Sequence, residues 1–329
     1  AYRRTLSSGE KIVIKDLGIY GKQTLAGVLA HSSNAGVGYA SDRVSEIDLY
    51  DRLKSFGFGM KTGIGLSGES TGSLREPESW SARSKPTIAI GQEVMVTPLQ
   101  MITAAAAIAN GGLLLKPTTV ARIETADGEN VFVHEPQVVR RVVSEETSHS
   151  ILAAMETAAS LEGTGWRAKV SDIRMAVKTG TAQMIDPKTR AYSDKDYIAS
   201  TLGIFPADKP RIALYIAIVK PRGASYLGGQ IAAPVLRDAA EAVLSCIDVD
   251  RGKSPTIVHD NSVVLSTEQE AIVGTTMPDL TGFSKRSLLS LLERKDIRVV
   301  INGNGYVVSQ EPPPGSAIEE GARIALTLK

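Results

Sequence analysis

The run Arg174–Met184, R-M-A-V-K-T-G-T-A-Q-M, constrains the fold more than any other stretch of the chain. Its apolar lead-in predicts a buried β-strand, and the end of that strand carries an ammonium, two hydroxyls and a glycine. In a regular strand the side chains alternate, so Lys178 and Gly180 share one face while Thr179 and Thr181 share the other. A glycine within a strand lets a second backbone lie close. A strand edge equipped in this way can accept an extended peptide and hold a carboxylate at the peptide's end.

The same tripeptide occurs twice. Lys61-Thr62-Gly63 stands in F-G-F-G-M-K-T-G-I-G-L-S-G-E, which has no apolar run in front of it and a glycine every few residues. That pattern predicts a loop. Only the copy at Lys178 has a strand before it and a hydroxyl after it.

Downstream of Lys178, Tyr197–Phe205 and Arg211–Val219 read as two further strands joined tightly through Pro206–Pro210, so the three predict an antiparallel meander. Ile231–Ile247 follows as an amphipathic helix with Val235, Leu236, Ala239 and Val243 inward. Upstream, residues 4–16 predict a hairpin turning at Ser7-Ser8-Gly9-Glu10, and Gln23–Ala30 and Ser45–Phe56 predict helices. Thr97, Pro98 and Gln100 form a capping box ahead of an alanine-rich helix that stops at Asn110-Gly111-Gly112. That helix is nearly all apolar, which predicts a place at the centre of a domain. Val120–Val143 predicts a pair of strands turning at Asp127-Gly128, Glu145–Ala159 a helix, and Gly163-Thr164-Gly165 a loop.

Asp248–Thr275 loses periodicity and reads as a linker. From Met277 a small separate unit begins. It comprises a helix Ser284–Lys295 with Ser284 as N-cap, strands near Ile297–Ile301 and Val307–Ser309, a turn at Glu311–Gly315 and a last strand Arg323–Leu328. The fold class is α+β: an antiparallel sheet with helices on its faces and the active site beside one edge strand, followed by a small αβ tail.

Composition removes several functions. A formal net charge of +1 and 5% aromatic residues give no basic surface and no stacking platform, so nucleic acid is not an expected partner. Cys246 is the single cysteine, which excludes an internal disulfide and a multi-cysteine zinc site. In A-E-A-V-L-S-C-I it is expected as a small buried hydrophobe. Histidines 31, 134, 149 and 259 lack metal-ligand spacing, so neither a metal nor any other cofactor is expected. No segment is apolar for long enough to cross a membrane.

Ser32-Ser33-Asn34 and Lys178-Thr179-Gly180 fit two elements of the Ser-x-x-Lys, Ser-x-Asn, Lys-Thr-Gly trio. With them the sequence resembles the class B penicillin-binding proteins, the peptidoglycan D,D-transpeptidases of bacteria. The resemblance also runs through L-A-G-V-L-A-H-S-S-N, G-I-G-L-S-G-E, I-G-Q-E-x-x-V-T-P-L-Q, Gly163-Thr164-Gly165, V-K-T-G-T-A and Tyr226-Leu227-Gly228-Gly229, in the family's order. From Met277 the chain resembles a PASTA domain. The implied organisation is a transpeptidase domain over residues 1–247 lacking its N-terminal part, a linker over 248–275 and a PASTA domain over 276–329. The implied fold is that of penicillin-binding proteins and β-lactamases.

The implied chemistry is serine acyl transfer. Ser32 would relay a proton between two lysines toward the leaving amine, and Asn34 would hold the substrate amide and orient the catalytic lysine. Lys178 would supply positive charge. The hydroxyls of Thr179 and Thr181, with Gly180 between them, would hold the terminal carboxylate of D-Ala or of a β-lactam, and the Thr181 N–H would be an oxyanion donor. The implied partners are stem peptides ending in D-Ala-D-Ala, β-lactams, a membrane glycosyltransferase and other division proteins. The implied location is the extracytoplasmic face of the bacterial cell membrane, through an N-terminal helix outside this sequence.

One departure stands out. The family's nucleophile lies in Ser-x-x-Lys at the start of a buried helix, and the literal match here is Ser8-Gly9-Glu10-Lys11. Gly9 starts a helix poorly, the residues after Lys11 are strand-like, and the stretch lies too near Ser32. The nucleophile is therefore expected to precede Ala1, and the chain as given is not expected to form an acyl-enzyme. Two other readings are a D-Ala-D-Ala carboxypeptidase or β-lactamase of the same superfamily and a non-catalytic peptidoglycan or β-lactam sensor.

Overall fold

The computed structural model describes residues 1–6, 9–249 and 271–329. The expected Ser7-Ser8 turn, the Ser8 end of the Ser-x-x-Lys match, His259 and most of the expected linker lie outside the described residues. The chain divides into two compact units, one running through Pro255 and the other from Thr256.

The first unit opens with an antiparallel hairpin of β1 (Tyr2–Thr5) and β2 (Lys11–Ile14). Alternation along these strands buries Tyr2, Ile12 and Ile14 together with Ala35. Helix α1 (Leu25–Ala30) is capped by the Thr24 hydroxyl, which accepts from the Gly27 N–H. Helix α2 (Asn34–Ser41) was not legible, because Gly36 and Gly38 make it a poor intrinsic helix. Close packing explains both glycines. A Cβ at Gly36 would come within 2.5 Å of Val28, and one at Gly38 within 2.9 Å of the Tyr2 ring.

Helices α3 (Glu46–Ser55) and α4 (Ser84–Ala89) lead to α5 (Pro98–Ala109), whose capping box forms as expected. Ala104, Ala105 and Ala107 of α5 are buried, but Ala106 is exposed, so this helix keeps one wet side. The predicted strand pair over Val120–Val143 is only partly formed. Strands β4 (Arg122–Glu124) and β5 (Asn130–Val133) pair across Asp127-Gly128, while β6 (Val138–Arg141) turns away to pair with β3 (Leu113–Leu115). Helix α6 (Glu145–Ala158), capped by Ser144, completes the layer.

The central sheet is the predicted meander, ordered β7 (Ala176–Ile185), β8 (Tyr192–Phe205), β9 (Ile212–Val219) and antiparallel throughout. The β7–β8 register is unbroken from Ala176↔Ile204 to Gln183↔Tyr197. One face carries Ala176, Leu202 and Ile204 onto Ala105 of α5 and Leu152 and Met155 of α6. The opposite face carries Val177 and Phe205 onto helix α7 (Gly228–Cys246), against Ala233, Leu236, Ala240 and Leu244. Each fully buried leucine or phenylalanine of this kind contributes about 1.5–3 kcal/mol.

Helix α7 corrects two expectations. Its inward row is Ala232, Ala233, Leu236, Ala240 and Leu244, whereas Val235 is 45% exposed. The helix period that turns Leu236, Ala240 and Leu244 onto the sheet turns Val235 away from it. Cys246, expected inside, is exposed. It lies two residues beyond Leu244, and a helix rotates about 200° over two residues, away from the buried row.

The second unit has its own core of Met277, Leu280, Leu288, Leu291, Ile324 and Leu326. The predicted helix Ser284–Lys295 is far shorter: a 3-10 turn Arg286–Leu288 followed by α8 (Leu289–Leu292). Ser284 bridges to Tyr306 in strand fashion, which delays the start. Arg294 hydrogen-bonds the Val273 carbonyl and the Asp296 carboxylate, which closes the end. Strands β10 (Arg298–Asn302), β11 (Val307–Glu311) and β12 (Arg323–Leu328) form a sheet with β12 central, parallel to β10 and antiparallel to β11. Among the described residues no helix is long and apolar enough to cross a membrane.

Candidate functional site

Strand β7 pairs with β8 on one side only, so among the described residues its other edge is open. The unbroken register fixes the alternation. Lys178 and Gly180 share the face of Ala176, toward α5 and α6, while Thr179 and Thr181 share the face of Val177, toward α7.

Part of the Lys178 side chain stays accessible, but its ammonium end is enclosed, and this burial pushes its pKa down to about 8. The ammonium donates to Ser32 Oγ at 2.7 Å and to the Thr179 carbonyl at 2.7 Å. An ammonium has three donors, so one remains for a ligand. The Ser32 hydroxyl, accepting from Lys178, keeps its own proton to donate.

Ser32 comes to this position on the turn between α1 and α2. Its φ is 53°, a left-handed conformation uncommon for serine. Its N–H donates to the Leu29 carbonyl at 3.2 Å, and the next N–H, of Ser33, donates to the Val28 carbonyl at 2.9 Å. Asn34 opens α2 two residues later and is half-buried. Among the described residues no hydrogen bond joins its side chain to Lys178. The structure thus brings Ser32 and Lys178 into contact and leaves Asn34 beside them.

The two threonine hydroxyls differ. Thr179 is buried, and its Oγ1 donates to Thr164 Oγ1 at 2.8 Å. Thr181 is exposed, and its Oγ1 accepts from the Gly228 N–H at 3.0 Å, which satisfies the first amide of α7 and leaves the hydroxyl proton to donate. Gly228 lies so close to the sheet that a Cβ there would meet the Gly180 carbonyl oxygen at 2.2 Å and the Ser200 carbonyl oxygen at 2.4 Å. Of the two hydroxyls, Thr181's is therefore the one presented at the opening.

Three residues without an assigned role in the sequence reading shape the site. Thr164 ties its halves together, because its N–H donates to the Ala30 carbonyl at 3.1 Å while its hydroxyl accepts from Thr179. Gly228 seats α7. Asp16 accepts from Ser33 Oγ and from the Ala35 N–H, each at 2.9 Å. Gly163-Thr164-Gly165 and Tyr226-Leu227-Gly228-Gly229 were visible as motifs, but nothing marked Asp16. A cavity of about 640 Å³ lies elsewhere, lined by Arg167, Ile218, Arg222 and Ile231 among others, and contains neither Ser32 nor Lys178. The described residues hold no cluster of histidine, cysteine, aspartate and glutamate fit for a metal ion.

Residues 8–241 match the family described as the penicillin-binding protein transpeptidase domain, and residues 275–329 match the PASTA domain. The chain is 34% identical over 313 residues to stage V sporulation protein D of Bacillus subtilis, covering 94% of this chain and 47% of that protein. It is 36% identical over 238 residues to the peptidoglycan D,D-transpeptidase FtsI of Escherichia coli, covering 72% of this chain and 38% of that one. The crystal structure of penicillin-binding protein 3 from Mycobacterium tuberculosis, complexed with aztreonam, superposes with a TM-score of 0.66 at 32% identity, covering 74% of this chain and 56% of that one. The chain thus spans less than half the length of these two curated relatives.

Proposed function

The chain belongs to the class B penicillin-binding protein transpeptidases and carries a PASTA domain at its C-terminus, and on that premise we propose that it forms the substrate-gripping part of a serine-type peptidoglycan D,D-transpeptidase. The observation that carries this reading is the 2.7 Å contact of Lys178 Nζ with Ser32 Oγ, between residues 146 apart in sequence. Two of the family's three motif elements converge there beside an open strand edge.

In this reading a stem peptide ending in D-Ala-D-Ala lies along the open edge of β7. Its terminal carboxylate meets the free donor of Lys178 and the Thr181 hydroxyl, with Gly180 leaving room between them. The Thr179 hydroxyl holds Thr164 and supports the strand. A serine attacks the penultimate D-Ala carbonyl as its hydroxyl proton passes to the lysine of its own Ser-x-x-Lys pair, and the Thr181 N–H donates to the oxyanion. The C–N bond to the last D-Ala breaks, and the Ser32 hydroxyl passes a proton to the leaving amine while Lys178 replaces it. The amine of a second stem peptide then takes the acyl group. Asn34 holds the substrate amide. A β-lactam presents the same carboxylate and a strained amide, so it acylates the same serine.

In this reading the attacking serine belongs to a Ser-x-x-Lys pair other than Ser8-Gly9-Glu10-Lys11. Lys11, in the single literal match, opens strand β2 rather than a helix turn. The full-length protein acts at the extracytoplasmic face of the cell membrane with a glycosyltransferase and other division proteins. The septal role is inferred from the PASTA tail alone. A sporulation role is the second reading, because the alignment that runs through 94% of the chain is with a protein named for sporulation.

Fluorescent penicillin on the full-length protein tests the reading. Covalent labelling that survives denaturation is expected, and its absence leaves a non-covalent sensor. Incubation with two stem peptides separates the enzymes: a cross-linked dimer is expected, whereas release of D-Ala without a dimer means a carboxypeptidase. Placement of a fluorescent fusion at the division septum or at the developing spore decides between the two roles.

A further inference from the structure

We propose that Asp16 is a positioning residue for Ser32, holding the turn that delivers the Ser32 hydroxyl to Lys178; the proposal rests on the transpeptidase reading above. Asp16 lies two residues past β2, whose Ile12 and Ile14 are buried against Ala35 of α2. The hairpin core therefore sets the carboxylate at the start of α2. There Oδ1 accepts from the Ala35 N–H at 2.9 Å and Oδ2 from Ser33 Oγ at 2.9 Å. Ser33 Oγ in turn accepts from the Gly36 N–H at 2.9 Å. Ser33 is itself buried, so this hydroxyl has little water to fall back on.

The consequence falls on the residue just before. Ser32 sits at a φ of 53°, a region that costs a side-chain-bearing residue free energy and persists only where the surroundings impose it. Behind Ser32, the N–H groups of Ser32 and Ser33 are tied to the carbonyls of Leu29 and Val28. In front, the two oxygens of Asp16 hold the Ser33 side chain and the Ala35 amide. With both ends fixed the turn cannot relax, and Ser32 Oγ is kept 2.7 Å from the ammonium. Without the carboxylate, Ser33 keeps a weak cap alone and Ser32 is free to leave the left-handed region.

The test compares covalent labelling rates of the full-length protein by fluorescent penicillin, with thermal melts to show that each variant folds. Asp16→Ala is expected to label about tenfold more slowly or worse, since small misplacements of reacting groups cost rates of that order. Asp16→Asn, with one carbonyl acceptor left, falls between. Tyr2→Phe is the control for mere loosening: it deletes the 3.0 Å bond from Tyr2 to Asp42 in the same hairpin region, and it is expected to label like the parent. Asp16 variants that fold and label within twofold of the parent overturn the proposal, as does an equal loss in Tyr2→Phe. If the parent does not label at all, the transpeptidase reading fails, and crystal structures of the chain and of Asp16→Asn decide the positioning alone. Ser32 is then expected out of hydrogen-bond reach of Lys178 Nζ in the variant, and an unmoved contact overturns the idea.

Discussion

Lys61-Thr62-Gly63 and Lys178-Thr179-Gly180 are the same three residues in two environments. In the first, Glu69 gathers the tripeptide: its carboxylate accepts from the Thr62 N–H at 2.6 Å, the Thr62 hydroxyl at 2.5 Å and the Gly63 N–H at 3.3 Å. Gly63 has a φ of 79°, and Lys61 is exposed. In the second, the backbone pairs with β8, the threonine hydroxyl binds another threonine, and the lysine's enclosed ammonium lies on a half-buried serine. The loop copy uses its polar groups to close a turn. The strand copy uses them to tie the strand to Ser32 and Thr164. Sequence identity over three residues therefore says little about chemistry, because backbone conformation decides which groups are available.

Swapping the lysines should split the two copies most widely. Lys178→Met is expected to slow penicillin labelling of the full-length protein by roughly a hundredfold or more, as loss of a charge-stabilising donor does in acyl-transfer sites. Lys61→Met should label within twofold of the parent. Equal rates in the two variants would erase the distinction.

The glycines should separate stability from chemistry. A methyl on Gly63 must adopt a left-handed backbone, at a cost of about 1–2 kcal/mol in stability. Gly63→Ala should therefore lower the melting temperature and leave labelling unchanged. A methyl on Gly180 would lie 2.7 Å from Ser200 Oγ, a hydroxyl able to rotate away, but it would stand in the row of Lys178. Gly180→Ala should melt near the parent and label about tenfold more slowly.

Acidity gives the smallest effects, and the copies respond at opposite ends of the scale. Burial holds Lys178 near 8, below its value in an unfolded chain, ~10.4. The unfolded chain thus binds the proton more tightly, and this lysine's contribution to stability rises with pH between those two values. Its grip on a carboxylate falls over the same range, so labelling should decline as pH rises through about 8, with Lys178→Met lacking that inflection. Hydrogen bonds from Thr62 hold Glu69 below the usual carboxylate range. The loop's stability is therefore present above the ordinary glutamate pKa and lost as pH falls through the lowered one. Amide exchange at Thr62 and Gly63 should accelerate in acid, and rates without an inflection would remove Glu69 as the clasp.

Much of this was legible because it rests on local chemistry. The capping box at Thr97 and Gln100 spans four residues and forms as expected. The alternation around Lys178 needs only a regular strand. The meander followed from runs of β-branched residues with short connections. Misreadings occurred where packing overrode a local pattern. Glycines hid α2 because close contact with Val28 and Tyr2, rather than helix propensity, stabilises it. Hydrophobicity points Val235 and Cys246 inward, but the buried row of α7 runs through Ala232, Ala233, Leu236, Ala240 and Leu244, and the helix period turns both of them off it.

The sequence alone determined the inventory: an ammonium, two hydroxyls and a glycine on one strand, a serine pair and an asparagine on a distant turn, and a separate C-terminal unit. Only the tertiary structure decided their relations. It set Ser32 rather than Asn34 on Lys178, turned Thr179 inward and Thr181 toward the opening, and placed Asp16 beneath the turn. The physical reason is range: propensity and alternation act over a few residues, whereas the contact between Ser32 and Lys178 spans 146, closed by packed layers that no local pattern encodes.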